Sequence, residues 1–177
     1  DIFSIKNNEI EMKYYKSHIT LQKYLEKNQK SNIIERVLEK IKILHFQSIS
    51  VSYEKYKKLV LEETIHKIKK RHIEIDKLVN KYNFINKVNG IKIFTFDYII
   101  NNLEKKLIQE INKMKKFYLN PIHGDLHLNN ILIDDDIIFI DPKGYFGSSE
   151  IYGIKEYDYA KFYFGLEGYS YFDFMDI

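Results

Sequence analysis

The chain has 177 residues, 45% of them apolar and 15% aromatic, which suits one domain or one large lobe with a real core. The absence of Cys excludes a disulfide framework and cysteine-ligated metals, and no stretch approaches the ~20 consecutive apolar residues of a membrane-spanning helix. The net charge of +3 is unevenly divided: residues 1–120 carry 25 Lys/Arg against 14 Asp/Glu, whereas residues 121–177 carry 3 against 11.

In the basic part the lysines are spread over helical faces among Glu, Asn and Ile. That is the pattern of solvated helix surfaces, so no nucleic-acid partner is expected. The start, Asp1-Ile2-Phe3-Ser4, lacks the basic and apolar regions of a signal peptide. With no membrane span either, a cytoplasmic protein is expected. Clustered carboxylates repel one another unless cations offset them, so the acidic third is where chemistry is expected.

Taken in chain order, residues 9–15 read as a strand, followed by a short helix near Thr20–Glu26. Asn32 and Glu35 form a candidate capping box. It opens a helix with Ile34, Val37, Leu38, Ile41, Leu44 and His45 at helical spacing. A second helix is predicted over Tyr53–Lys70. Asp97 is the expected cap of a third, with Ile100, Leu103, Leu107, Ile111, Met114 and Tyr118 as one apolar stripe. These stripes are core faces, and His18, His45, His66 and His72 on the same segments read as structural.

Pro121 ends the helical pattern. Ile131-Leu132-Ile133 and Ile137-Ile138-Phe139-Ile140 are short β-branched runs separated by Asp134-Asp135-Asp136, which predicts a β-hairpin with a solvated acidic turn. Antiparallel strands bring their outer ends together, so Asn130, before the first strand, and Asp141, after the second, should lie close. One neutral and one anionic oxygen ligand suit Mg²⁺. Asp125, on the loop leading in, would then hold a substrate hydroxyl beside a metal-bound phosphate. Phosphoryl transfer needs little more from this side of a site, because its transition state is loose and catalysis is mostly positioning and charge stabilisation.

The string His123-Gly-Asp-Leu-His-x-x-Asn130-Ile-Leu followed by Ile140-Asp141-Pro142 resembles the catalytic and metal-binding loops of the aminoglycoside phosphotransferase and choline kinase superfamily. The resemblance implies an α+β, mainly helical fold: the C-terminal lobe of a protein-kinase-like structure over residues 17–177, with its functional loops at 121–142. It implies Asp125 as catalytic base, Asn130 and Asp141 as metal ligands, and His123 and Asp158 as supports of the catalytic loop. It also implies ATP and Mg²⁺ as nucleotide and cofactor and a small hydroxylated molecule as acceptor.

Residues 1–16 resemble the last strand and hinge of that family's N-terminal lobe, with Lys13, Tyr14 and Tyr15 as candidate nucleotide contacts. The rest of that lobe, including its phosphate-covering loop and phosphate-binding Lys, has no counterpart here, so a missing lobe or partner segment is expected. His127, Lys143, Tyr145 and Tyr152 are candidates for the acceptor side. Gly124 in place of Arg, and the short interval between Asp141 and Asp158, point to a small acceptor and away from a protein kinase. Two other readings stay open: a pseudokinase or scaffold lobe, and a metal-dependent hydrolase using His123-x-Asp125-x-His127.

Overall fold

The computed structural model describes residues 2–6, 9–12, 14–28, 32–79 and 87–169. They form an α+β structure, mainly helical, with small antiparallel sheets. Strands β1 (Ile2–Lys6) and β2 (Glu9–Met12) pair with each other. A two-residue strand, β3 (Ile19–Thr20), then leads directly into helix α1 (Leu21–Lys27). Thr20 has extended backbone and its side chain accepts from the Lys23 amide, a regular N-cap.

Helix α2 (Ile33–Leu44) follows, then β4 (Ile49–Ser50). Asn32 stands at the N-cap of α2 but makes no capping bond, so the expected capping box does not form. Its ψ of 9° is not the extended backbone that aims a side chain at the first-turn amides. Helix α3 (Tyr53–Leu61) continues through a five-residue π turn, Glu62–His66, into α4 (Lys67–Val79), so the predicted second helix is longer and carries a π insertion. Strands β5 (Lys87–Val88) and β6 (Ile91–Lys92) form a small hairpin before α5 (Phe96–Lys113).

Thr95, not Asp97, caps α5; Asp97 sits in the first turn, where the helix dipole favours its charge. Because α5 ends at Lys113, the predicted stripe breaks. Ile100 and Ile111 are buried, while Tyr118 lies exposed in the next strand, β7 (Tyr118–Pro121).

The hairpin comes next: β8 (Ile131–Ile133) and β9 (Ile137–Phe139), in the register Ile131 with Phe139 and Ile133 with Ile137. The β3 strand adds to its outer side, giving the order β3-β8-β9. Strand β10 (Tyr152–Gly153) pairs with β7, which also pairs with β4. Helix α6 (Lys155–Phe164) closes the structure beside the loop between β7 and β8.

Two cores hold these elements. In the first, Leu21, Val37, Ile41, Leu126, Leu128, Ile131, Ile137 and Phe162 bring α1, α2, the hairpin and α6 together. In the second, Tyr56, Leu59, Ile111, Leu119, Ile122 and Phe146 join α3, α5 and β7. Each fully buried aliphatic or aromatic side chain contributes about 1.5–3 kcal/mol. Gly153 lies at the close approach within the second core, since a Cβ there would meet Ile122 and Phe146 at 2.5 and 2.6 Å. Among the described residues no helix is long and apolar enough to cross a membrane.

Candidate functional site

The segment from Ile122 to Asn130 runs between the two cores, with Ile122 in one and Leu126 and Leu128 in the other. Within it burial alternates: Leu126, Leu128 and Asn130 point inward, and Asp125 and His127 stay partly exposed. Apolar anchors on both sides thus present the polar side chains outward. The start of the loop is held by Asp158 on α6, whose side chain is 0% exposed. Its Oδ2 accepts from the His123 amide and its Oδ1 from the Gly124 amide, both at 2.8 Å. The Nε2 of His45, at the end of α2, donates to the same carboxylate at 3.0 Å.

Gly124 takes φ +81°, and a Cβ there would lie 3.0 Å from the Lys143 Cβ, so both backbone angle and space call for glycine. His123 joins the loop to the hairpin. Its Nδ1 accepts from the Asp125 amide at 3.3 Å and its Nε2–H donates to the Ile140 carbonyl at 2.7 Å. Burial pushes its imidazolium below the ordinary range, outweighing the nearby carboxylates, which fits this neutral, doubly bonded ring. With both ring nitrogens committed to backbone, His123 has none left for a metal, which removes the first ligand of the hydrolase reading.

Asn130 and Asp141 flank the hairpin as predicted. The Ile140 amide bonds the Asn130 carbonyl at 3.0 Å, so Asp141 follows the residue directly across from Asn130. The Asn130 Nδ2 donates to the Asp125 carbonyl at 2.9 Å, which commits the amide end of the side chain and leaves Oδ1 as the end suited to a cation. Asp141 has φ +56° immediately before Pro142. A non-glycine residue in the left-handed region is uncommon, and such strain concentrates at functional sites.

The Asp125 side chain is 38% exposed. Its Oδ1 accepts from Lys161 Nζ at 3.0 Å, and His127 Nε2 lies 3.8 Å from its Oδ2. Partial burial opposes ionisation, but the Lys161 ammonium and the neighbouring imidazoles outweigh it and hold the carboxyl below the usual range. Lys161 was not legible as a site residue, although it lies one helical turn from Asp158 on the same face of α6.

The remaining predicted residues divide. Tyr14, 84% exposed, and Tyr15 line a cleft of about 700 Å³ with Lys16, His18 and the hairpin-turn residues Asp134 and Asp136. Lys13 lies outside the described residues. That turn is tied down at several points: Ser17 bonds Asp134, Arg36 donates to the Asp135 carbonyl, and Lys40 pairs with Asp136. Tyr152 lies in β10, packed against the second core. Lys143 is not a free cation, because its ammonium meets Glu63 and lies 4.0 Å over the Tyr145 ring.

Glu63 is the centre of a cluster that the sequence reading did not include. It sits on the π turn, an irregularity frequent at functional sites. Its Oε1 accepts from Lys143, from Lys67 at 2.6 Å and from the Tyr157 hydroxyl at 2.9 Å, and its Oε2 from the Gly147 amide at 3.2 Å. Burial works against the charge, but these donors prevail and bring its pKa from 4.5 to about 2. Burial and Glu63 together push the Tyr157 hydroxyl up. Burial, with Lys67 nearby, outweighs the attraction of Glu63 and pushes the Lys143 ammonium down.

A depressed carboxylate pKa contributes stability above its unfolded-state value and loses it as pH falls through the folded one. For Glu63 that window runs from 4.5 to about 2. Its contribution is about 3 kcal/mol. Chemical unfolding at pH 6 and pH 2.5 is expected to show a smaller acid-induced loss of stability in Glu63→Gln than in the wild type. Equal losses would mean that Glu63 does not carry the linkage.

Among the described residues no group of three or more His, Cys, Asp or Glu is gathered as a metal-binding cluster. Comparisons with protein-family models, with curated proteins and with solved structures find no match for this chain.

Proposed function

We propose that this chain is the catalytic lobe of an ATP-dependent small-molecule kinase with a protein-kinase-like fold. One observation carries the reading. A hairpin brings Asn130 opposite Ile140, next to Asp141, while the Asn130 amide holds the backbone of Asp125. A base, a neutral oxygen ligand and an anionic one thereby share a single loop-and-hairpin unit, anchored by the buried Asp158.

In the reaction an acceptor hydroxyl oxygen forms a bond to the γ-phosphorus. The bond from that phosphorus to the bridging oxygen of ADP breaks, and the hydroxyl proton passes to the Asp125 carboxylate. Asn130 and Asp141 are the residues that would hold Mg²⁺, which when bound supplies charge neutralisation for the phosphate oxygens. Asp125 orients the hydroxyl, and Lys161 keeps it ionised and fixed in direction. The cleft between Tyr14, Tyr15 and the hairpin turn is the candidate seat of the adenine base.

The test is a phosphate-transfer screen of hydroxylated small molecules, using the full-length gene product with Mg-ATP and following ADP release and the phosphorylated product. Acceptor-dependent transfer that fails in Asp125→Asn is expected. Mg²⁺-dependent ATP binding without transfer to any acceptor would favour the pseudokinase reading, and absence of both would overturn the proposal.

A further inference from the structure

Two ammonium groups, from Lys143 and Lys67, converge on one carboxylate oxygen, Glu63 Oε1. The side chains are 12% exposed for Lys143, 26% for Lys67 and 2% for Glu63. One carboxylate balances one ammonium, so the cluster keeps a surplus positive charge in a largely dehydrated place. An uncompensated buried charge is costly unless an anion completes it. Each ammonium has three donors, so both retain donors beyond the one directed at Glu63.

A groove of about 430 Å³ opens on this cluster, lined in part by His66, Lys67, Lys70, Tyr145 and Ser148. Lys70 follows His66 by four residues and Lys67 by three, so it neighbours each of them on the helix surface. The other acidic side chain on the groove, Glu62, is already balanced by Lys58 and by the Ser148 amide. The groove therefore has surplus positive charge and no unbalanced negative charge among its described residues.

It also borders the site proposed for catalysis. The Lys143 amide bonds the His123 carbonyl at 2.8 Å, and the Lys143 Cβ lies 3.0 Å from where a Gly124 Cβ would be, one residue before Asp125. Lys143 thus links the anion-seeking cluster to the loop that carries the base.

We propose that this groove binds an oxyanion, phosphate or carboxylate, carried by the acceptor, with Lys67 and Lys70 as its ligands while Lys143 balances Glu63 behind them. The substrate class is then an anionic hydroxyl compound such as a sugar phosphate or a sugar acid. This rests on the kinase reading for the word acceptor, but the binding site itself does not.

Calorimetry without nucleotide tests it on the whole protein, titrating glucose 6-phosphate, glucuronate, inorganic phosphate and glucose at fixed ionic strength. Glucose 6-phosphate or glucuronate is expected to bind more tightly than inorganic phosphate, and glucose to bind at least tenfold more weakly than either. Lys67→Met and Lys70→Met should each weaken the anionic sugars about tenfold, the scale of a lost charged hydrogen bond. Lys113→Met, which removes a distant exposed lysine paired with Glu110, should leave binding unchanged.

Glu63→Gln raises the surplus charge and should hold or tighten binding. If that variant does not fold, Lys70→Met decides the matter, because it disturbs no buried pair. Inorganic phosphate binding as tightly as the anionic sugars would assign the site to a free anion and overturn the acceptor assignment. Binding unaltered in Lys67→Met and Lys70→Met would overturn the site. Transfer to neutral acceptors with no anion binding would sink this inference alone, whereas anion binding with no transfer to anything would sink the kinase reading alone.

Discussion

Replacing Asp158 with Ala is expected to lower stability by about 3–5 kcal/mol, a large share of the ~5–15 kcal/mol typical of a domain. Asp158 is fully buried and accepts from three donors on two separate segments, the His123 and Gly124 amides and the His45 ring. Alanine leaves all three donors buried without a partner, and hydrogen bonds to a charged group contribute about 1.5–3 kcal/mol each. Asn recovers only part of this, because its amide supplies one acceptor oxygen and turns N–H groups toward a remaining donor. Urea unfolding gives the loss directly. Hydrogen exchange at the His123 and Gly124 amides, measured in Asp158→Asn, should accelerate ahead of the amides of the hairpin strands. A loss under 1 kcal/mol in Asp158→Ala, or unchanged protection at 123 and 124, would remove Asp158 as the anchor of the loop.

The same residue marks where sequence reading reaches and where it stops. The hairpin was legible because its signal is local: two apolar β-branched runs around three aspartates can bury one face only by folding back. That folding fixes Asn130 opposite Ile140, and hence beside Asp141, without knowledge of anything distant. The pairing of Asp158 with His45 spans a separation of 113 residues. Helical periodicity gives the apolar face of α2 but not which carboxylate meets the histidine at its end, so His45 read as one structural histidine among several.

Glu63 was hidden for a different reason. A 3.6-residue period assigns each position of Tyr53–Lys70 to a face, but the π turn at Glu62–His66 inserts residues into that register. It places a carboxylate within reach of Lys143 and Tyr157, far along the chain. Lys143 lies two residues after Asp141 in the sequence, but its partner Glu63 is beyond what spacing can reveal. Lys161 was more accessible. Once Asp158 is taken as facing the loop, the residue three positions later on the same helix faces it too, and a lysine there finds the nearest carboxylate, Asp125.

If the chain is the kinase proposed above, the largest effect on turnover is expected from Asp125→Asn, with kcat lowered ~10²–10⁴-fold, the usual cost of removing a general base. Mg-ATP binding should stay near the wild-type value, because the substitution removes no metal ligand and keeps the backbone carbonyl that Asn130 holds. Asp141→Asn should instead weaken Mg²⁺-dependent ATP binding together with turnover. Asn tolerates the left-handed backbone at φ +56° much as Asp does, so that variant reads out charge with little added strain. On the kinase proposal Asn130 would have two duties, an oxygen for the cation beside the N–H that it gives to the Asp125 carbonyl. Asn130→Ala loses both and should lower kcat as well as nucleotide affinity. Asn130→Asp restores an oxygen ligand but cannot donate to the carbonyl, so it should recover binding more than rate. Calorimetric titration of Mg²⁺ and ATP beside steady-state rates on the full-length protein separates the two columns. If Asp125→Asn abolished metal-dependent ATP binding while Asp141→Asn left it intact, the roles of the two carboxylates would be reversed. Equal recovery of rate and binding by Asn130→Asp would show that the tether between Asn130 and the Asp125 backbone has no part in positioning the base.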